Sequence, residues 1–279
     1  MVANTDAVIL DLRFGLGGSP EMVNYIASAF FRKRTRLADI YIRHQNITYT
    51  YWTSPDTAFN SLHETPLYIL TSYKTFSAAE GLSYELQKLN RATIVGEVTR
   101  GGAHTTIKKT PGFGFVTEIP CGNATIRNTK SNWEKTGVIP DILVSADNAL
   151  EIAELKILDT AISKAKDSIV LRNLKWQRDI TESINHPVRI DSAVMENFSG
   201  VYGACTITYS KGSLYYQKAG RAKFPLVAMT GCRMKPRGND SFMVDFILNH
   251  DNQCQKIITW YDDGRMEYAD RSEVEVGKE

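Results

Sequence analysis

The stretch from residue 66 to residue 96 limits the fold most. Pro66-Leu67-Tyr68-Ile69-Leu70-Thr71-Ser72 is a continuous apolar run that reads as a buried strand. After a short turn, residues 78 to 89 place Leu82, Leu86 and Leu89 on one helical face, and Ala92-Thr93-Ile94-Val95-Gly96 reads as the next strand. Strand, helix and strand in this order predict a βαβ unit on a parallel sheet. The amino-terminal residues repeat the scheme. Ala7-Val8-Ile9-Leu10-Asp11-Leu12 runs into the glycine turn Gly15-Leu16-Gly17-Gly18, and Ser19-Pro20-Glu21 then caps a helix carrying Met22, Ile26, Ala29 and Phe30. Two βα junctions therefore meet at one edge of a sheet.

Elsewhere the texture changes. Residues 40 to 53 alternate like a strand pair, while 148 to 166 and 169 to 184 read as helices. Beyond His186-Pro187, short alternating runs recur between turn signals such as Lys211-Gly212 and Asp262-Asp263-Gly264, which predicts an antiparallel meander or barrel. The expected organisation is a core over 1–166, a helical linker over 167–189 and a β domain over 190–279. A chain of 279 residues is long enough for two cores. With a net charge of +2 and no basic stripe, it offers nothing to nucleic acid.

No apolar run approaches the ~18 residues of a membrane span, and the first residues lack the basic and apolar regions of a leader, so the chain is not read as a precursor. Cys121, Cys205, Cys232 and Cys254 form no zinc-type spacing, and no metal or cofactor is expected. Cys205, Cys232 and Cys254 would permit one disulfide in an oxidising compartment, against buried free thiols. The aromatics of the β region, among them Tyr202, Tyr209, Tyr216, Trp260 and Tyr268, read as core or as the lining of a partner groove.

The chemistry-bearing residues cluster at the two junctions. Ser77, in Thr75-Phe76-Ser77-Ala78-Ala79-Glu80, lies at a helix amino terminus, where free amides and the helix dipole favour negative charge developing on an attacked carbonyl. The alternative is a plain N-cap, with Glu80 completing a capping box. The glycine turn allows close backbone approach, so an amide there can join that of Ala78 in an oxyanion hole, although glycines at such turns also serve packing alone.

Four segments in order then carry a resemblance. Asp11-Leu12-Arg13-Phe14-Gly15-Leu16-Gly17-Gly18, Thr75-Phe76-Ser77-Ala78-Ala79-Glu80, Gly96-Glu97-Val98-Thr99-Arg100-Gly101-Gly102-Ala103-His104 and Gly137-Val138-Ile139-Pro140-Asp141 resemble the motifs of the tail-specific or C-terminal processing proteases. The similarity is to the branch of interphotoreceptor retinoid-binding protein and the tricorn core. Gly15 departs from the pattern, which usually has Asn there. The resemblance implies a crotonase/ClpP-like α/β protease core followed by a small antiparallel β domain. It further implies a bacterial serine-type peptidase acting on peptide or protein substrates through an acyl-enzyme at Ser77, with Ala78 and Gly17 as oxyanion donors. Oligomerisation stays open.

The resemblance also assigns the acid and raises a question about the base. Where the processing branch has a catalytic lysine, this chain has Gly102, so a Ser–Lys dyad is not expected. Glu134, just before the GVxPD motif, stands where the tricorn-like branch orients its histidine. That histidine lies upstream of the Asp11 strand, so the chain is expected to lack the amino-terminal part of the core together with its base. His104 is the in-chain alternative as base, or else a loop-ordering or substrate-contacting residue. His44, His63, His186 and His250 match no motif, and Lys74 reads as a solvated turn lysine. Relatives of this architecture are usually exported, which suggests a periplasmic or envelope location. The competing function is a module on the same fold that binds a peptide or apolar ligand without turnover.

Overall fold

The computed structural model describes residues 5–54, 62–126, 131–185 and 188–272, which fall into two units meeting in sequence at Ala153 and Glu154. The first unit contains β1 (Val8–Asp11), α1 (Pro20–Ser28), β2 (Arg36–Ile42), β3 (Ile47–Trp52), β4 (Leu67–Thr71), α2 (Ala78–Lys88) and β5 (Thr93–Gly96). It continues through β6 (Thr106–Gly112), β7 (Phe115–Pro120), β8 (Gly122–Ile126), β9 (Ile142–Leu143) and the first turn of α3 (Ala149–Lys164).

The apolar runs at residues 7–12, 66–72 and 92–96 become neighbouring parallel strands in the order β1-β4-β5-β9, with Leu10 opposite Ile69 and Ile69 opposite Ile94. Such strands are covered on both faces, which explains their unbroken hydrophobicity. On one face, Ile69 and Ile94 pack with Leu82 and Leu86 of α2 and Val23 and Ala27 of α1. On the other, Leu70 and Val95 pack against Ala149 and Ala153 of α3. Each fully buried aliphatic side chain contributes about 1.5–3 kcal/mol. A second sheet, β3-β2-β8, is antiparallel, and β6 with β7 forms a separate hairpin. The sheet's carboxyl-terminal edge is where β1 delivers the glycine turn and β4 delivers Ser77.

The second unit contains α4 (Ser168–Asn185), α5 (Ser192–Phe198) and eight strands: β10 (Gly200–Tyr202), β11 (Cys205–Ser210), β12 (Ser213–Lys218), β13 (Lys223–Ala228), β14 (Arg233–Pro236), β15 (Phe242–Leu248), β16 (Cys254–Tyr261) and β17 (Met266–Asp270). Consecutive strands pair antiparallel from β10 to β17, and a bridge between Tyr202 and Arg271 brings the last strand's end back to the first. The result is a nearly closed barrel, which removes most exposed strand edge. Phe198 stacks on Phe246 at 4.3 Å between ring centres inside it, and the buried Tyr202 hydroxyl donates to the carbonyl of Phe198 at 2.9 Å. Tyr202 and Tyr216 thus serve the core, whereas Tyr268 is exposed. All four cysteines are free thiols.

Candidate active site

Ser77 occupies the turn between β4 and α2 with φ 56° and ψ −122°. A non-glycine residue held at positive φ stores on the order of 1–3 kcal/mol and persists only where its surroundings over-determine it. A sharp strand-to-helix elbow of this kind lifts a serine hydroxyl off the end of a sheet.

The surroundings that fix it come from both junctions. Thr75 Oγ1 donates to the carbonyl of Leu12 at 2.8 Å, Ser72 Oγ to that of Arg13 at 2.5 Å, and the Phe76 amide to that of Gly15 at 2.9 Å. The glycine turn is therefore latched by backbone and hydroxyl bonds, with no need of an asparagine at position 15. Arg13 grips Asp11 with Nε at 2.9 Å and Nη2 at 2.7 Å, and this fork holds the Asp11 carboxyl below its usual range. Gly17, at φ 108°, lies directly against Ser77: a Cβ there would stand 2.8 Å from the Ser77 Cβ and 3.2 Å from the Ala78 nitrogen. Among the described residues, the amides of Gly17 and Ala78 donate to no protein acceptor. Two free N–H groups beside a helix amino terminus are suited to a developing oxyanion.

Glu80 ties the elbow to the loop after β5. Fully buried, it accepts from the Ser77 amide at 2.7 Å, Thr99 Oγ1 at 2.6 Å, the Gly101 amide at 2.6 Å and the Gly102 amide at 3.0 Å. Its carboxylate thus does more than cap a helix: it sets the height of the 99–102 loop over Ser77. At Gly102 the backbone presses on the Phe76 ring, and a Cβ would come within 2.2 Å of a ring carbon. A side chain at 102 would require the Phe76 ring to move.

The next residues of the loop carry the remaining candidates. Glu134 Oε2 accepts the Ala103 amide at 2.7 Å, and Glu134 Oε1 lies 3.5 Å from His104 Nδ1. A cleft of about 720 Å³ is lined by Ser77, Ala78, Gly102, His104 and Trp133, within the usual size range of ligand sites. Leu16, Phe76 and Gly18 also border it. The structure therefore gathers Ser77, Ala78, the Gly17 turn, His104 and Glu134 around one loop system. It does not bring in the others. Lys74 is exposed and sits over the rings of Phe14 and Tyr73, at 5.0 and 5.7 Å. His44 and His250 are exposed, His63 lies 3.5 Å from Glu64, and none of the three lines the cleft. His186 lies outside the described residues.

A model of peptidase family S41 matches residues 2–144, just over half of the chain and all of this site. The chain belongs to peptidase family S41. Among similar solved structures, a photosystem II D1 C-terminal processing protease is 26% identical, with a TM-score of 0.42 over 51% of this chain and 36% of that one. A putative S41 protease from Bacteroides fragilis is 18% identical, with a TM-score of 0.45 over 64% of this chain and 46% of that one. A putative peptidase from Parabacteroides merdae is 20% identical, with a TM-score of 0.47 over 58% and 55%. The S41 chain thus spans between about a third and just over half the length of these structures.

Sequence reasoning missed two residues of this S41 site. Trp133 lines the cleft and donates from Nε1 to the Gly102 carbonyl at 3.1 Å, which gives the loop a second tie besides Glu80. Glu85 reads in sequence as an ordinary helix glutamate, yet it is buried and lines the same cleft. The only sequence signal for it was a carboxylate on the apolar face of α2.

Proposed function

We propose that this S41 chain hydrolyses peptide bonds of peptide or protein substrates through an acyl-enzyme on Ser77. The observation that carries the reading is the strained elbow of Ser77, held against two free amides. The Ser77 oxygen attacks the scissile carbonyl, and the charge arriving on the carbonyl oxygen is met by the N–H groups of Gly17 and Ala78. The Ser77 proton passes to a histidine and from there to the leaving amine, and water then repeats the sequence in reverse to release the acyl group. Glu134 is the acid that orients the imidazole and stabilises its charged form. His104 is the base candidate that this chain supplies, supported by its contact with Glu134 and its place on the cleft.

The chemistry is assigned to the core over 1–166, with 190–279 as an appended β domain joined through 167–189. The family resemblance supports an exported, envelope-located protein. Among the described residues no helix is long and apolar enough to cross a membrane.

Labelling with a fluorophosphonate tests the nucleophile. The chain should be modified at Ser77, and Ser77→Ala should remove the label; absence of label on the unchanged chain counts against an activated serine. His104→Ala separates the possible bases. A loss of about 10²–10⁴-fold in peptide hydrolysis together with the acidic limb of the pH profile assigns the proton transfer to His104. An unchanged rate assigns it to another histidine.

A further inference from the structure

The cleft beneath Ser77 has a polar group at its floor that the proposed reaction does not use. Ala78, Gly81 and Glu85 all line it, one helical face of α2 followed downward from the nucleophile. Glu85 is only 5% exposed, and its Oε2 is buried without a hydrogen-bond partner. Among the described residues no charge or hydrogen bond offsets the burial of this carboxyl. The contrast with Glu80, five residues earlier on the same helix and supplied with four donors, is complete. Buried polar groups are almost always satisfied, and one that is not, facing a cavity, is waiting for a partner that enters the cavity.

The cavity's shape says what that partner looks like. Its lining includes the apolar side chains of Val23, Ala38, Ile40, Ala124 and Trp133. Gly81, one turn above Glu85, leaves the path open, and a Cβ there would already touch the Trp133 ring at 3.2 Å. From Ser77 to Glu85 the helix rises about 12 Å, and a helical side chain leans back toward the amino terminus, which leaves a gap of roughly 7 Å between the hydroxyl and the carboxyl. An extended lysine reaches about 6 Å from Cα to Nζ along a four-carbon apolar stem.

Resting on the peptidase reading above, we propose that this floor is a specificity pocket in which Glu85 receives the cationic tip of a lysine or arginine side chain on the acyl side of the bond that Ser77 attacks. Met or Leu side chains would leave the carboxyl unpaired, whereas a basic side chain supplies both the stem for the walls and the charge for the floor. Among the described residues, the other titratable groups lining the cleft are Tyr51, His104, Lys108 and Glu118, of which Lys108 and Glu118 approach one another at 3.8 Å and are exposed. None of them neutralises Glu85. Burial alone pushes its carboxyl up to about 8, so a basic side chain entering near neutral pH displaces a proton to solvent.

The test measures binding separately from turnover. The full chain carrying Ser77→Ala is titrated calorimetrically at pH 8 with two peptides identical except for lysine or norleucine at the acyl-side position. The lysine peptide should bind at least about tenfold more tightly, and adding Glu85→Gln, which changes no volume, should erase that ratio while a thermal melt shows the variant folded. A ratio near one in the Glu85 protein, a ratio that survives Glu85→Gln, or binding of neither peptide overturns the proposal. Turnover is followed in parallel with Ser77 intact. Failure to cleave either peptide counts against the peptidase reading, and the binding ratio decides the role of Glu85 on its own.

Discussion

The two units place their buried polar groups differently. The barrel of the second unit is filled by Phe198, Phe246, Ile207, Leu214 and Val244, and its buried Tyr202 hydroxyl finds a carbonyl in the neighbouring helix. The first unit buries Glu80 and Glu85 on one helix, and above them it holds a serine at positive φ. The second unit has its own positive-φ residues, Lys211 and Asn252, and buries Lys235 against Asp240; what sets the first apart is that two buried carboxylates and a strained serine belong to one helix and its amino terminus. The difference between the units is therefore one of concentration at a single helix.

The strongest way to sharpen the comparison is to damage each unit in its own terms. Phe246→Ala empties the ring stack with Phe198 and should destabilise the second unit by about 3–5 kcal/mol, measured by denaturant unfolding. A cost under about 1 kcal/mol would show a loosely packed barrel and undo the contrast. Glu80→Gln places an amide N–H₂ among four donors, leaving at least one donor without an acceptor. About 2–3 kcal/mol of stability should be lost, together with the rate of fluorophosphonate labelling at Ser77. Stability loss with full labelling would reduce Glu80 to a fold residue.

The last effect is read as a slope rather than as a single loss. The Glu85 carboxyl titrates at about 8 in the folded chain against an ordinary 4.5, so the folded state keeps a proton that the unfolded state has released. The stability this protonation provides is fully present below the ordinary range and is lost as pH rises toward about 8, at up to about 1.4 kcal/mol per pH unit. Glu85→Gln should flatten that segment of the stability profile. An identical profile in the variant would mean that the carboxyl is hydrated rather than buried.

Much of the frame is legible in the sequence because burial writes a period into it. The apolar runs that form β1, β4 and β5 and the leucines of α2 announce parallel strands and a covering helix, and the alternation after residue 200 announces the barrel. The hairpin of β6 and β7 escaped because it has no buried face to write: Lys108, Lys109 and Pro111 interrupt it, and Phe113, Phe115 and Val116 point into solvent. β13 and β14 were hidden by Pro225 and Pro236. At the site, Ser77, Gly17, Ala78, His104 and Glu134 came from motifs, but the four-donor cradle of Glu80 did not. Its partners Thr99, Gly101 and Gly102 lie 19 to 22 residues away, and hydrogen bonds over that distance leave no local pattern. The positive φ of Ser77 is equally silent, since it is imposed by the latch to Leu12, Arg13 and Gly15 rather than by the residue.

The contact of Gly102 with the Phe76 ring also bears on what the loop can carry at this position. Any substitution at 102 drives a carbon into the ring before the new group can do anything useful. Room for a side chain at 102 therefore opens only when the Phe76 ring, next to Ser77, turns away.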